Sequence, residues 1–71
     1  MNKTELLLKI TDVTDAIEYI EEEISNVTQD VDIPVAAKPL IFQRLQLGLD
    51  CAVAKYQMYK DLYELSKEES E

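Results

Sequence analysis

Residues 6 to 31 read LLLKITDVTDAIEYIEEEISNVTQDV, and the spacing of their aliphatic side chains decides the fold class. These side chains recur at alternating intervals of four and three residues, the heptad spacing that keeps one face of an α-helix apolar. The seam they form consists of Leu6, Ile10, Val13, Ile17, Ile20, Ile24, Val27 and Val31. Because no polar residue interrupts the seam, we expect it to be buried against another helix.

The first helix is predicted over residues 3 to 28. Asn2 is a favourable N-cap residue, and Glu5 stands at the third helical position, so the two can form a capping box. Short polar residues become frequent toward the other end, and their side chains compete for backbone hydrogen bonds. We therefore expect the helix to fray over residues 27 to 31, although the seam continues there.

A connection is predicted over residues 29 to 38, because two prolines in this part of the chain exclude a regular helix interior. Pro34 is compatible with a short helical turn, and Pro39 with the first position of a second helix. The second helix is predicted over residues 39 to 67, followed by a frayed acidic tail at residues 68 to 71. All 71 residues belong to one helical-hairpin domain in this interpretation.

The second predicted helix carries two apolar stripes where the first helix carries one. The inner stripe is expected to pack on the seam and comprises Phe42, Leu45, Leu49, Ala52, Tyr56, Tyr59 and Tyr63. The outer stripe lies on a different side of the helix and comprises Leu40, Leu47, Cys51, Ala54, Met58, Leu62 and Leu65. One partner helix cannot cover both stripes, because their combined arc spans about 200°, roughly twice the arc that a surface helix needs.

The two helices are expected to pack antiparallel as an αα-hairpin, since about ten residues join them. Setting Thr28 opposite Pro39 gives a register in which the numbers of facing residues sum to about 67. This register brings acids of the first helix near bases of the second in three pairs: Asp12 with Lys55, Glu23 with Arg44, and Glu5 with Lys60. The predicted hairpin core consists of Leu6, Ile10, Val13, Ile17, Ile20, Ile24, Phe42, Leu45, Leu49, Ala52, Tyr56 and Tyr59.

The outer stripe predicts self-association. Monomers rarely expose an apolar patch of this length, and a core built from 71 residues is at the lower limit of independent stability. We expect a homodimer that forms a four-helix bundle, with a tetramer as the alternative, and a crossing of the second helix with its copy between Gly48 and Ala54. The predicted dimer interface consists of Leu47, Gly48, Cys51, Ala54, Met58, Leu62 and Leu65.

Charge and composition limit the classes of function. Fifteen acidic against seven basic residues give a net charge of −8, so we expect neither direct nucleic acid binding nor attraction to an anionic membrane. The chain has no histidine, which removes the commonest general base and the E-x-x-H motif of di-iron bundles. Cys51 is the single cysteine, and no apolar run reaches the roughly 20 residues of a membrane span, so we expect a cytoplasmic protein.

The acidic face of the first helix leaves two further hypotheses open. Asp15, Glu18 and Glu22 share that face, and facing carboxylates bind Mg²⁺ or Mn²⁺ in helical dimers that hydrolyse nucleoside triphosphates. The register argues against such a site, because it places Glu18 opposite Leu49 and away from Asp61. A row of carboxylates also imitates a phosphate backbone and occupies a basic groove of a nucleic-acid-binding protein. A solvated acidic face is the simplest interpretation.

The sequence thus favours a small, acidic, non-enzymatic helical protein that needs no cofactor and acts through protein–protein contacts. Regulatory proteins, immunity or antitoxin proteins, and accessory proteins of phages or mobile elements fit this description. Nucleic acid mimicry and, less well supported, a metal–carboxylate enzyme are the alternatives. Tyr59, Leu62 and Tyr63 form a candidate recognition patch at the open end of the hairpin, although tyrosines at such positions commonly serve hairpin packing.

Overall fold

The computed structural model describes residues 1 to 69 and contains two long α-helices, α1 (Lys3–Gln29) and α2 (Lys38–Glu69), which pack against each other. A 3₁₀ turn, Val35–Ala37, leads directly into α2. The predicted all-helical hairpin is therefore confirmed. Of the predicted tail at residues 68 to 71, the backbone of residues 68 and 69 continues α2, and residues 70 and 71 lie outside the described residues.

The N-terminus of α1 is fixed by Asn2. The backbone N–H of Glu5 donates to Asn2 Oδ1 over 2.8 Å, and Asn2 Nδ2 donates to Glu5 Oε1 over 3.2 Å. The first hydrogen bond satisfies one of the amides that have no partner within the helix, and the second holds the two side chains together. The predicted pair is formed, with the glutamate bonded to the asparagine side chain where a standard capping box uses the backbone amide.

The C-terminus of α1 lies at Gln29 because Asp30 leaves the helical conformation, with φ −75° and ψ 113°. Asp30 Oδ1 accepts a hydrogen bond from the backbone N–H of Asp32 over 2.8 Å, which closes a local turn. Val31 lies in this turn and is 93% exposed. Helix α1 thus ends one residue beyond the predicted residue 28, and Val31, the last position of the seam pattern, is not buried because the aspartate turn comes first.

The connection between the helices is tied at both ends. Lys38 Nζ donates to the carbonyl of Thr28 over 3.1 Å, and this brings a positive charge to the C-terminus of α1, where the helix dipole favours it. The backbone N–H of Ala37 donates to the Pro34 carbonyl over 2.9 Å within the 3₁₀ turn. Pro39 is the second residue of α2 and not the first as predicted, because the turn continues into the helix without a break.

The hairpin is a narrow rod that measures 56 × 15 × 13 Å. Its radius of gyration is 16.3 Å, whereas a compact domain of this length has a radius of gyration near 11 Å. Among the side chains described, three apolar ones are buried: Leu6 (2% exposed), Val27 and Ala52. One helix contact thus supplies a thin core along the length of the rod.

The Asn2 cap predicts a local stability effect. We expect Asn2→Ala to lower the free energy of unfolding by about 1 kcal/mol, because the Glu5 amide loses its partner. Asn26→Ala is the matched control, since Asn26 is exposed within α1 and alanine has the higher helix propensity. Urea unfolding followed by circular dichroism measures both. Equal destabilisation of the two variants would contradict a capping role for Asn2.

Candidate interaction surface

The predicted hairpin core lies along the contact between α1 and α2. Leu6 and Ala52 are buried, and the other ten predicted core residues are half-buried. Ile41 and Tyr63 are half-buried as well, although neither was assigned to the core. Half-burial is what a two-layer helix pair can provide, because each seam residue is covered from one side only.

The register of the hairpin follows the sequence expectation. A Cβ added to Gly48 would lie 3.7 Å from Ile20 Cδ1, so these two positions face each other. Asp12 and Lys55 line one common hollow, as the register requires. The numbers of these facing pairs sum to 68 and 67.

The outer stripe of α2 is exposed along its whole length in the single chain. Leu47 is 66% exposed and Met58 is 47% exposed, and all seven predicted interface residues fall in the exposed class. Leu40, which belongs to the same stripe, is also exposed. The hairpin contact leaves these residues exposed because α1 lies mainly on the inner stripe, although Gly48 also faces Ile20 across the hairpin.

A central hollow of about 340 Å³ opens between the two helices beside the outer stripe. It is lined by Asp12, Val13, Ala16, Ile20, Gly48, Cys51, Ala52 and Lys55. The hollow exists because small residues meet there from both helices, Ala16 on α1 and Gly48 on α2. Its floor is mainly apolar, and Asp12 and Lys55 place one charge of each sign at its edge. Sequence reasoning missed Ala16, whose small size at a seam-flanking position was the available signal.

A terminal hollow of about 270 Å³ lies near the free ends of the hairpin. It is lined by Met1, Leu6, Leu62, Leu65 and Ser66. Leu62 and Leu65 belong to the outer stripe, so the two hollows and the stripe form one continuous face. The central hollow is mainly apolar and the terminal hollow is mixed, with Ser66 beside its leucines, so the apolar part of this face is the stripe with the central hollow.

The acids of α1 point away from this face or flank it. Glu18, Glu21 and Glu22 are exposed, and among the side chains described, residues 1 to 67, no three acidic or cysteine side chains are close enough to bind a metal ion. None of the three expected acid–base pairs between the helices forms an ion pair within the described part of the chain. The three pairs share a register position, but the side chains remain in solvent, as surface charges commonly do.

The tyrosines and Cys51 are distributed along α2 without a shared site. Tyr59 and Tyr63 are half-buried beside α1, and Lys67 Nζ lies 4.8 Å from the centre of the Tyr63 ring. Tyr19 on α1 is exposed. The Cys51 thiol is free and exposed at the wall of the central hollow. The candidate patch of Tyr59, Leu62 and Tyr63 therefore has an exposed leucine between two partly covered rings.

The sequence matches no known protein family, and neither a curated protein nor a solved structure resembles the chain. Neither described helix is apolar over a length that would cross a lipid bilayer. The geometry of the chain itself therefore carries the functional argument.

The charge distribution predicts that salt stabilises the hairpin. The net charge is −8 and the three expected pairs between the helices are not formed among the described residues, so screening reduces repulsion without breaking such a pair. We expect the urea midpoint to be higher in about 0.5 M sodium chloride than at low salt. The corresponding increase in the free energy of unfolding is up to about 1 kcal/mol. The double variant Glu18→Gln/Glu22→Gln should respond less, and a midpoint that falls with salt would contradict this account.

Proposed function

We propose that this chain is a non-enzymatic interaction module whose working form is a homodimer, in which two hairpins associate through α2 into a four-helix bundle. The observation that carries the proposal is the exposed outer stripe with its two adjoining hollows, which the hairpin contact leaves uncovered. Monomers rarely keep such a surface in water, whereas it is typical of an interface.

The exposed area supports the proposal quantitatively. The single chain exposes 5422 Å², whereas a folded monomer of 8.2 kDa is expected to expose about 4500 Å². The excess of about 900 Å² is close to the area that each partner buries in an interface of standard size, about 800 Å². A second hairpin on the outer stripe would therefore bring the chain to an ordinary exposed surface.

A second copy is the occupant that the stripe fits best. Three of its side chains, those of Cys51, Ala54 and Met58, are small or flexible, and Gly48 beside the stripe has no side chain, so two helices can approach closely there. A twofold pairing uses this one surface on both subunits and forms a closed assembly. The dimer would keep the acidic outer face of α1 in solvent, and we propose that contacts with other proteins are made by surfaces that the dimer presents.

The dimer predicts the mass of the protein in solution. We expect analytical ultracentrifugation at micromolar concentration to give about twice the chain mass of 8.2 kDa. Dilution should lower the weight-average mass in a concentration-dependent way, because dissociation follows mass action. A mass of one chain at all concentrations would overturn the proposal, and a mass of four chains would replace the four-helix bundle by a tetramer.

The position of Gly48 predicts a variant that weakens assembly. We expect Gly48→Leu to fill the central hollow and to raise the dimer dissociation constant by about 10- to 100-fold, the cost of overpacking a close helix contact. Gln57→Leu is the matched control, because it adds the same side chain on the polar face of α2 and should leave the mass unchanged. If both variants dissociate equally, or neither does, the outer stripe is not the interface.

A further inference from the structure

We infer that the second copy docks its α2 antiparallel across the central hollow, with the twofold axis close to Ala54 and Lys55 and with Met58 of each copy seated in the central hollow of the other. This inference rests on the proposed homodimer and specifies its register. It follows from how the protruding side chains and the two hollows are spaced along one face.

Several large side chains of the outer stripe are exposed, and the two that lie between Leu40 and the terminal hollow, Leu47 and Met58, stand at a defined interval. Leu47 and Met58 are exposed and stand eleven residues apart, almost a whole number of helical turns. They therefore project from nearly the same line on α2, about 16 Å from each other. They are the knobs that this face offers to a partner.

The two hollows have a similar interval. The α2 residues that line the central hollow are Gly48, Cys51, Ala52 and Lys55, whose midpoint is between positions 51 and 52. Those that line the terminal hollow are Leu62, Leu65 and Ser66, whose midpoint is near position 64. At 1.5 Å per residue the centres of the two hollows are about 19 Å apart. This distance differs from the spacing of Leu47 and Met58 by the length of about two residues along the helix.

An antiparallel register seats both knobs at once. In this register, a residue of one α2 faces the residue of the second α2 for which the two numbers sum to about 110. Met58 of the second copy then lies at the central hollow, and Leu47 of the second copy lies at the terminal hollow. That sum places the twofold axis near Ala54 and Lys55. Lys55 then lies close to its own copy, and Asp12 at the edge of each central hollow offsets the repulsion.

A parallel arrangement seats the same knobs only in an open assembly. Leu47 of a parallel copy would enter the central hollow only after a shift of about four residues along the axis. A shifted parallel pair is heterologous, so each copy would leave one surface open and the contact would propagate to further copies. The antiparallel register is the one that both fills the hollows and closes the assembly.

Disulfide crosslinking tests the register. A disulfide needs Cα atoms within about 7 Å of each other. Along the helix axis, the register places Cys51 about 12 Å from Cys51 of the second copy. It places Ala54 about 3 Å from Ala54 of the second copy, and Cys51 about 2 Å from Met58 of the second copy. The four proteins to compare are the wild type, Cys51→Ser/Ala54→Cys, Met58→Cys with Cys51 retained, and the control Cys51→Ser/Gln57→Cys on the polar face.

Oxidised glutathione and non-reducing electrophoresis provide the readout, and sedimentation of each reduced protein provides the oligomeric state. We expect Cys51→Ser/Ala54→Cys and Met58→Cys to form covalent dimers at least about tenfold faster than the wild type and the Gln57→Cys control. Reduced proteins that sediment as monomers would overturn the homodimer itself. Two results with dimeric proteins would overturn this register and leave the homodimer standing. In the first, wild-type Cys51 crosslinks fastest; in the second, neither designed cysteine crosslinks faster than the Gln57→Cys control.

Discussion

The contact between α1 and α2 stabilises this fold, and two helices alone can bury side chains only along that one contact. The seam of α1 packs on the inner stripe of α2, and Leu6, Val27 and Ala52 are the side chains it buries. No third element covers the pair among the described residues, so most core side chains remain half-buried. Every other property of the hairpin follows from this limit, including its rod shape and its uncovered second face.

The asymmetry between the two helices determines where a partner can attach. The exposed side of α1 carries a row of acids, Asp15, Glu18 and Glu22 among them, together with the exposed Leu7, Leu8 and Tyr19. The outer stripe of α2 is apolar and exposed, and water is a poor solvent for it. In such a hairpin α1 covers α2 on one side, and the proposed dimer would place a second apolar surface on the other side. In the proposed dimer, the net charge of −8 would add a general repulsion between copies, which the apolar contact would have to exceed.

The fold could be predicted largely from local patterns. Heptad spacing gave the two helices, and setting Thr28 opposite Pro39 gave the register, because a short connection leaves few ways to align an antiparallel pair. Val31 shows the limit of periodicity, since α1 ends at Gln29 and an aspartate turn follows while the heptad pattern continues. The central hollow was not predictable, because it depends on Ala16 and Gly48 meeting across two helices. The interface remains a prediction for a similar reason, as it depends on residues of two molecules.

Gly48 shows that stability is not the only constraint on this sequence. It has an ordinary helical backbone without a positive φ, so the helix does not need glycine there. An added methyl group would make a normal contact with Ile20, and glycine within a helix costs about 1 kcal/mol relative to alanine. The isolated hairpin is therefore less stable at this position than its own geometry permits. A sequence optimised for the single chain would not contain this residue, and selection for foldability alone does not account for it.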